Sequence, residues 1–402
     1  MNEHATKTMT PRTVGLDAHP DVFTAALVAG THPASATVLK YWDKLPIDGL
    51  EAWAQQNLQP EDLIILEASG NSFELCTRLA RAQRKAVVTE SAQSAKLKEA
   101  YCSNDKRSAV RIAESWLTGK AKVVWQPDQL TLERREVLGA YLKSVKRNTQ
   151  MRNRIKSFLS DHSVRLRPGQ SLLLDDTWEW IWSKRVWTPM QRALLESYRE
   201  DFGQAHTQRT KLRAVIARAV LEDARLLQLT RLDGIRDLIA FALAAVIGDI
   251  NRFANPKKLV AYIGVNPSLE ESGNNTHPDT SLQRHGHSQV RSLLIQGAQA
   301  LLRQHNLPLS RWGFRLLARK SSRNEVVVAV ARKMVVAVWY LLKGLWNPLT
   351  ELNQRAQVKL SKITGQIKGL TKEQRAQCFR EAKRKLIEEG IYLLDPTRSF
   401  AV

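Results

Sequence analysis

The apolar positions begin in short runs. Residues 13–17, 22–29 and 36–42 are β-branched or apolar, the first two separated by the turn His19-Pro20-Asp21, and they read as three strands. A helix near residues 49–56 leads into Asp62-Leu-Ile-Ile-Leu-Glu67, whose continuous apolar stretch predicts a central strand buried on both faces. Helix 72–83, strand 86–89 and helices 93–100 and 105–117 follow. Beyond a basic helical segment at 141–167, Leu195, Tyr198, Phe202, Ala205, Leu212, Ile216 and Ala219 recur at three- and four-residue steps, interrupted at Arg209. This predicts a long coiled-coil-like helix that can dimerise or fold back on the basic one. Between the two, Trp178, Trp180 and Trp182 alternate at two-residue spacing, with Trp187 beyond, and predict a strand or an irregular aromatic corner used for packing rather than base stacking. Leu232-Asp-Gly-Ile235 ahead of the apolar helix 238–247 has the form of a helix–hairpin–helix, whose turn can offer N–H groups to a phosphate.

A three-strand meander followed by alternating helix and strand is the order of the ribonuclease H-like fold. The predicted class is therefore α/β plus α: a ribonuclease H/RuvC-like N-terminal domain, long coiled-coil-like helices and a small helical C-terminal domain. A chain of 402 residues exceeds one ordinary core. The expected divisions are 1–125, 126–228, 229–350 and 351–402, the last a basic, helical, peripheral tail.

Charge narrows the partners. Against 39 acids stand 61 Lys and Arg, a formal +22 that repels itself unless a polyanion neutralises it, so nucleic acid is the expected partner. Lys143, Lys146, Arg147, Arg152, Arg154, Lys156, Arg165 and Arg167 crowd 141–167 against the single acid Asp161, and one face of that helix reads as a phosphate track. Three widely spaced cysteines fit neither a disulfide framework nor a zinc cluster. The polar, basic start predicts no secretory signal. The apolar run 238–247 is too short to span a bilayer and 326–346 is broken by Arg332 and Lys333, so no membrane helix is expected and the cytoplasm is the expected compartment.

Asp17 and Glu67 each end a predicted strand, and Asp105 opens a helix in Ser103-Asn-Asp-Lys-Arg-Ser108. A carboxylate ending a buried strand is costly unless hydrogen-bonded or bound to a cation. Three of them, with no grouped His or Cys, point to magnesium or manganese.

These pieces occur in an order that resembles a known family. Gly15-Leu-Asp17, Leu66-Glu-Ala-Ser69 with Gly70, and Asn104-Asp105 with Ala109 precede Leu232-Asp-Gly-Ile, Ile250-Asn-Arg-Phe253, Leu259-Val-Ala-Tyr-Ile-Gly264, Pro267 and Ser272-Gly273. Together they are similar to the DEDD-motif transposases of insertion-sequence family one-ten, which includes the Piv-type invertase. The likeness runs from about residue 13 to 345 and leaves the tail outside it.

The resemblance implies a RuvC-like nuclease domain joined by a coiled coil to a C-terminal transposase domain bearing a serine loop. It implies magnesium on Asp17, Glu67 and Asp105, a phosphoserine link to DNA, donor and target DNA as substrates, a guide or bridge RNA, a homo-oligomer (dimer or tetramer) and a bacterial, nucleoid-associated setting. The family's fourth acid falls on Ser108, a neutral oxygen at a position that shares a helix face with Asp105. Either three acids and a hydroxyl or water hold the metal, or the protein is a weakened variant. Ser272 is the implied nucleophile, with Ser268 its competitor, and Arg284 and Arg291 are expected phosphate clamps. Two other functions fit the same residues: a RuvC-like junction nuclease that uses water, and a nucleic-acid-binding protein without catalysis.

Overall fold

A computed structural model describes residues 11–91, 104–266, 286–320, 322–345 and 354–392. The chain divides into two compact units, Met1–Pro127 and Asp128–Val402.

The first unit is built on five strands: β1 (Arg12–Ala18), β2 (Val22–Ala29), β3 (Thr37–Pro46), β4 (Leu63–Glu67) and β5 (Lys85–Thr89). Their order is β3-β2-β1-β4-β5, antiparallel through the first three and parallel from β1 to β4 to β5. Helices α1 (Leu50–Asn57) and α2 (Ser72–Arg81) cover one face; α3 (Asp105–Leu117) covers the other. Strand alternation assigns the residues between them. Val14 and Leu16 enter the core with Phe23, Trp53, Ile64, Leu66 and Leu79, so Gly15 and Asp17 face α3.

Gly15 is what lets α3 lie so close. A Cβ there would stand 1.8 Å from the Ala109 carbonyl oxygen and 2.8 Å from the Ala113 nitrogen. Ala109 and Ala113 are the small residues α3 presents to the sheet, both fully buried. The helix start is set by Asn104, whose Oδ1 accepts from the Arg107 N–H at 2.9 Å, and Asp105 sits in the first turn where the helix dipole favours an anion.

In the second unit α4 (Gln129–Asp161) and α6 (Pro189–Glu222) run alongside one another. The long apolar-periodic helix folds back on the basic one. Arg209, which interrupts its periodicity, donates to Asn148 Oδ1 on α4 at 3.4 Å, a polar rung within the pair. The tryptophans correct the sequence reading. Trp178, Trp180 and Trp182 lie on a helix, α5 (Asp175–Ser183), begun by Asp175 and Asp176 in its first turn, and Trp187 lies beyond it. At about 100° per residue, alternate positions on a helix point nearly opposite ways while i and i+4 coincide. Trp178 and Trp182 accordingly share a face, and Trp180 turns out to meet Arg167 and Lys184.

Short helices α7 (Ala224–Thr230), α8 (Asp237–Ile247) and α9 (Pro256–Ile263), then α10 (Ser288–Leu301), α11 (Pro308–Leu317) and α12 (Arg323–Leu342), enclose one apolar core. The Leu232–Ile235 turn needs Gly234 at φ +80°, and it packs against Gly297, where a Cβ would meet the Gly234 oxygen at 2.5 Å. Among the described residues no helix is long and apolar enough to cross a membrane.

The tail, expected to be peripheral, instead contributes to that core. Leu360 and Ile363 on α13 (Gln354–Thr364) and Leu386 on α14 (Lys372–Tyr392) are buried in it. Lys359 is the anchor: its Nζ donates to the carbonyls of Thr230 (2.7 Å), Leu232 (2.8 Å) and Ile235 (3.0 Å), holding the hairpin turn from beneath. The tail's 11 Lys and Arg against six acids concealed the short apolar stripe that does this. The helix predicted over 93–100 lies outside the described residues.

Two stability predictions follow from these contacts. Gly15→Ala should cost about 1–3 kcal/mol in denaturant unfolding, because backbone must move, whereas Gly70→Ala, with nothing within 4 Å of its Cβ, should change stability by less than about 0.5 kcal/mol. Burial pushes the Lys359 ammonium down to about 8. Between that value and the unfolded pKa of about 10.4 the unfolded chain binds the extra proton, so stability relative to Lys359→Met should rise with pH by about 1–3 kcal/mol across that window and stay flat below it. Melting curves of the two proteins from pH 7 to 10.5 measure the difference.

Candidate metal centre and basic surface

The sheet brings Asp17 to the C-terminal end of β1, and the close seat of α3 brings the first helical turn above it. Donor atoms of Asp17, His19 and Asp105 all lie within 4.8 Å of one another. His19 Nε2 is 3.9 Å from Asp105 Oδ1. An octahedral ion with donors at about 2.1 Å separates them by about 3–4.2 Å, so small side-chain adjustments suffice to close on a divalent cation. Two carboxylates and an imidazole are also suitable donors for one.

His19 is the member that sequence reasoning missed. It belongs to the tight turn after β1, where its N–H donates to the Val22 carbonyl at 2.8 Å and its own carbonyl accepts from Asn71 Nδ2 at 3.2 Å. Asn71 in turn accepts from Ser69 Oγ at 3.1 Å. The Ala-Ser-Gly-Asn segment after β4 thus fixes the turn that presents His19. The spacing Asp17-x-His19 at a strand end was the available signal.

Glu67 follows Leu66, the residue paired with Leu16, so Glu67 and Asp17 are equivalent positions on adjacent parallel strands. Adjacent strands lie about 4.8 Å apart, and Glu67 therefore borders the trio without belonging to it. Ser108 stands one helical turn after Asp105 and is also in the site: its hydroxyl hydrogen-bonds Asp17 and its Oγ accepts from Arg111 Nη2 at 2.9 Å. Burial raises the Asp17 pKa above the ordinary carboxylate value and the Asp105 charge adds to the rise, while His19, the Ser108 hydroxyl and Arg111 oppose it. Farther out, Asp43 is paired with Lys106 at 3.1 Å.

In the second unit Lys143, Lys146, Arg147, Arg152 and Arg154 are all exposed on α4. They do not form one track. Helical geometry puts Lys143, Arg147 and Arg154 within about 40° of each other, with Arg152 on the far flank of the buried stripe and Lys146 opposite that stripe. Arg147 is 3.6 Å from Asp201, and Arg154 lies 5.5 Å over the Tyr198 ring. Arg291, in the first turn of α10, donates from Nη1 to the Gly264 carbonyl at 3.2 Å. Gly264 and Gly286 meet there, a Cβ on Gly286 standing 2.9 Å from the Gly264 Cα. Beside them Tyr262 touches His287, with ring centroids 4.7 Å apart, and Arg252 lies 4.4 Å over the Tyr262 ring. Burial, with Arg135 and Arg252 nearby, lowers the His287 pKa. Ser272, Ser268 and Arg284 lie outside the described residues.

Residues 227–312 match the transposase IS116/IS110/IS902 family. Over 265 residues, 66% of this chain, it is 23% identical to a Sinorhizobium fredii protein that bears a transposase name, covering 63% of that protein. It is 30% identical over 152 residues (37% of this chain) to a family 20 transposase of Pseudomonas aeruginosa, of which 44% is covered. A 252-residue stretch, 60% of this chain, is 30% identical to the transposase for insertion sequence element IS1111A of Coxiella burnetii, of which 66% is covered. The chain thus spans between 44% and 66% of these relatives' own lengths. The matched segment begins in α7, carries the Leu232–Ile235 turn and ends in α11, and it is this segment that is recognised as a transposase domain of the IS116/IS110/IS902 family.

Proposed function

We propose that this protein is an RNA-guided DNA transposase or recombinase of an insertion sequence, which cuts and rejoins donor and target DNA through a phosphoserine intermediate with a divalent metal. The observation that carries the proposal is the convergence of Asp17, His19 and Asp105 in a chain whose second unit matches this transposase family. The sheet order β3-β2-β1-β4-β5, with acids at the ends of β1 and β4, supports assigning the first unit to the ribonuclease H/RuvC-like fold. Asp17 and Asp105, with Glu67 bordering them at the end of the adjacent strand, would hold magnesium or manganese. Once bound, such an ion supplies charge neutralisation at a phosphate.

The chain's own residues do the rest. Ser272 is the proposed nucleophile: its hydroxyl oxygen attacks phosphorus, its proton leaves to a base, and the displaced DNA oxygen departs as a hydroxyl. The phosphodiester energy stays in the protein–DNA bond, so rejoining needs no external energy source. Arg284 and Arg291 would hold the phosphate during this exchange. The exposed cations of α4, within a total charge of +22, would neutralise the backbones of guide RNA and DNA. A homo-oligomer would supply the strand exchanges that one chain cannot.

Cleavage of labelled DNA in the presence of metal and co-purified RNA should give a covalent protein–DNA adduct that Ser272→Ala abolishes while RNA binding survives. Free DNA ends with no adduct would establish a water-using nuclease instead. An adduct persisting in Ser272→Ala would move the nucleophile to Ser268 or elsewhere. Replacing Lys146, Arg147, Arg152 and Arg154 together by Ala should weaken RNA binding and flatten its logarithmic salt dependence by about 0.7–0.9 per phosphate contact removed. An unchanged slope would take this helix out of the interface.

A further inference from the structure

The resemblance puts four acids at the metal centre; this chain puts Ser108 where the fourth belongs, and the structure shows what accompanies that exchange. Ser108 is held between Asp17 and the Arg111 guanidinium. An arginine that hydrogen-bonds this position supplies a fixed positive charge where a carboxylate would have drawn a second cation. The turn after β1 adds an imidazole, His19, within 4.8 Å of both acids.

Charge balance separates the two designs. Four carboxylates sum to −4 and match two divalent ions. Here Asp17, Glu67 and Asp105 sum to −3 and Arg111 adds +1, leaving −2, the complement of one. The donor chemistry also differs. Oxygen-only sites suit magnesium, which sheds its water reluctantly; a nitrogen donor favours ions later in the first transition row. The neighbouring Asp43–Lys106 pair, 3.1 Å apart, adds no net charge to the sum.

We infer that this centre is a single-ion site with His19 as a nitrogen ligand, selective for manganese or a later transition ion over magnesium, and that Ser108 with Arg111 occupies the place of a second ion. The inference rests on the proposed role of Asp17 and Asp105 as metal ligands. It requires no unusual geometry: His19 is 53% exposed on its side chain, and its replacement should leave the fold intact.

Manganese binding to the full-length protein, followed by electron paramagnetic resonance, tests it without reference to activity. Titration should show one Mn2+ per chain, with magnesium displacing it only at more than about tenfold excess. Pulsed measurements should show coupling to an imidazole nitrogen. His19→Ala should lose the nitrogen coupling and weaken Mn2+ at least about tenfold, with magnesium affinity nearly unchanged, and circular dichroism should confirm that the variant folds. Ser108→Asp with Arg111→Ala should admit a second Mn2+. Two ions per wild-type chain, or one ion with no nitrogen coupling, would overturn the single-ion histidine site while leaving the acids as ligands. Absence of binding, or binding that Asp17→Asn does not diminish, would overturn the underlying metal assignment and this inference with it.

Discussion

The contact on which the first unit depends is the approach of the α3 backbone to β1 at Gly15. No side chain separates them, since the Ala109 oxygen occupies the place a Cβ would take. Strand alternation then forces Asp17, two residues on, to face the same helix. A helix seated this low puts its first turn, with Asp105 and Ser108, level with the strand end. The Gly-Leu-Asp tripeptide thus encodes a distance as well as a carboxylate. Its glycine shapes the cluster of Asp17, His19 and Asp105 as much as its acid does.

Much of this was legible in the chain because apolar runs of four to six residues bounded by turn residues have few other readings. Asp62-Leu-Ile-Ile-Leu-Glu67 is one such run, and its strand sits second in the parallel half of the sheet. The tryptophans show where the same logic fails. Two-residue spacing marks a strand only if one face is buried and the other is not, and here the apparently alternate face carries another tryptophan, which cations cover. Lys184 caps the helix four residues after Trp180, a spacing that only the helical reading would have exposed, and Arg167 comes from the preceding segment, which no periodicity within the helix could announce. His19 was missed for a related reason. It sits in a turn whose conformation depends on Asn71, a partner 52 residues away.

Charge was read correctly as an excess and incorrectly as a stripe. Eight cations in 27 residues look like one face when only their number is considered. Six of them lie on α4, where their helical angles spread them around its solvent side, and Arg165 and Arg167 lie beyond the helix altogether. A surface of that kind meets phosphates from several directions. It suits a folded or multi-stranded polyanion better than one straight backbone, since a single duplex groove would engage only the cations on one side.

The tail extends the same argument about apparent polarity. Lys359 gives all three of its protons to backbone carbonyls around the Leu232–Ile235 turn. Those carbonyls end a helix and open a tight turn, so their dipoles converge on one point and a cation there satisfies groups that water would otherwise have to reach. Leu360, next in sequence, enters the core, so the ammonium group is carried inward by its neighbour's burial. Cationic residues in this chain therefore divide by what they face. Lys143, Lys146 and Arg152 on α4 face solvent and remain available to an external polyanion, whereas Arg135 and Lys359 face the protein's own oxygens, and Lys359 holds together the turn inside the segment that matches the transposase family. A mean charge for the tail conceals that division, and only the hydrogen-bond partners reveal it.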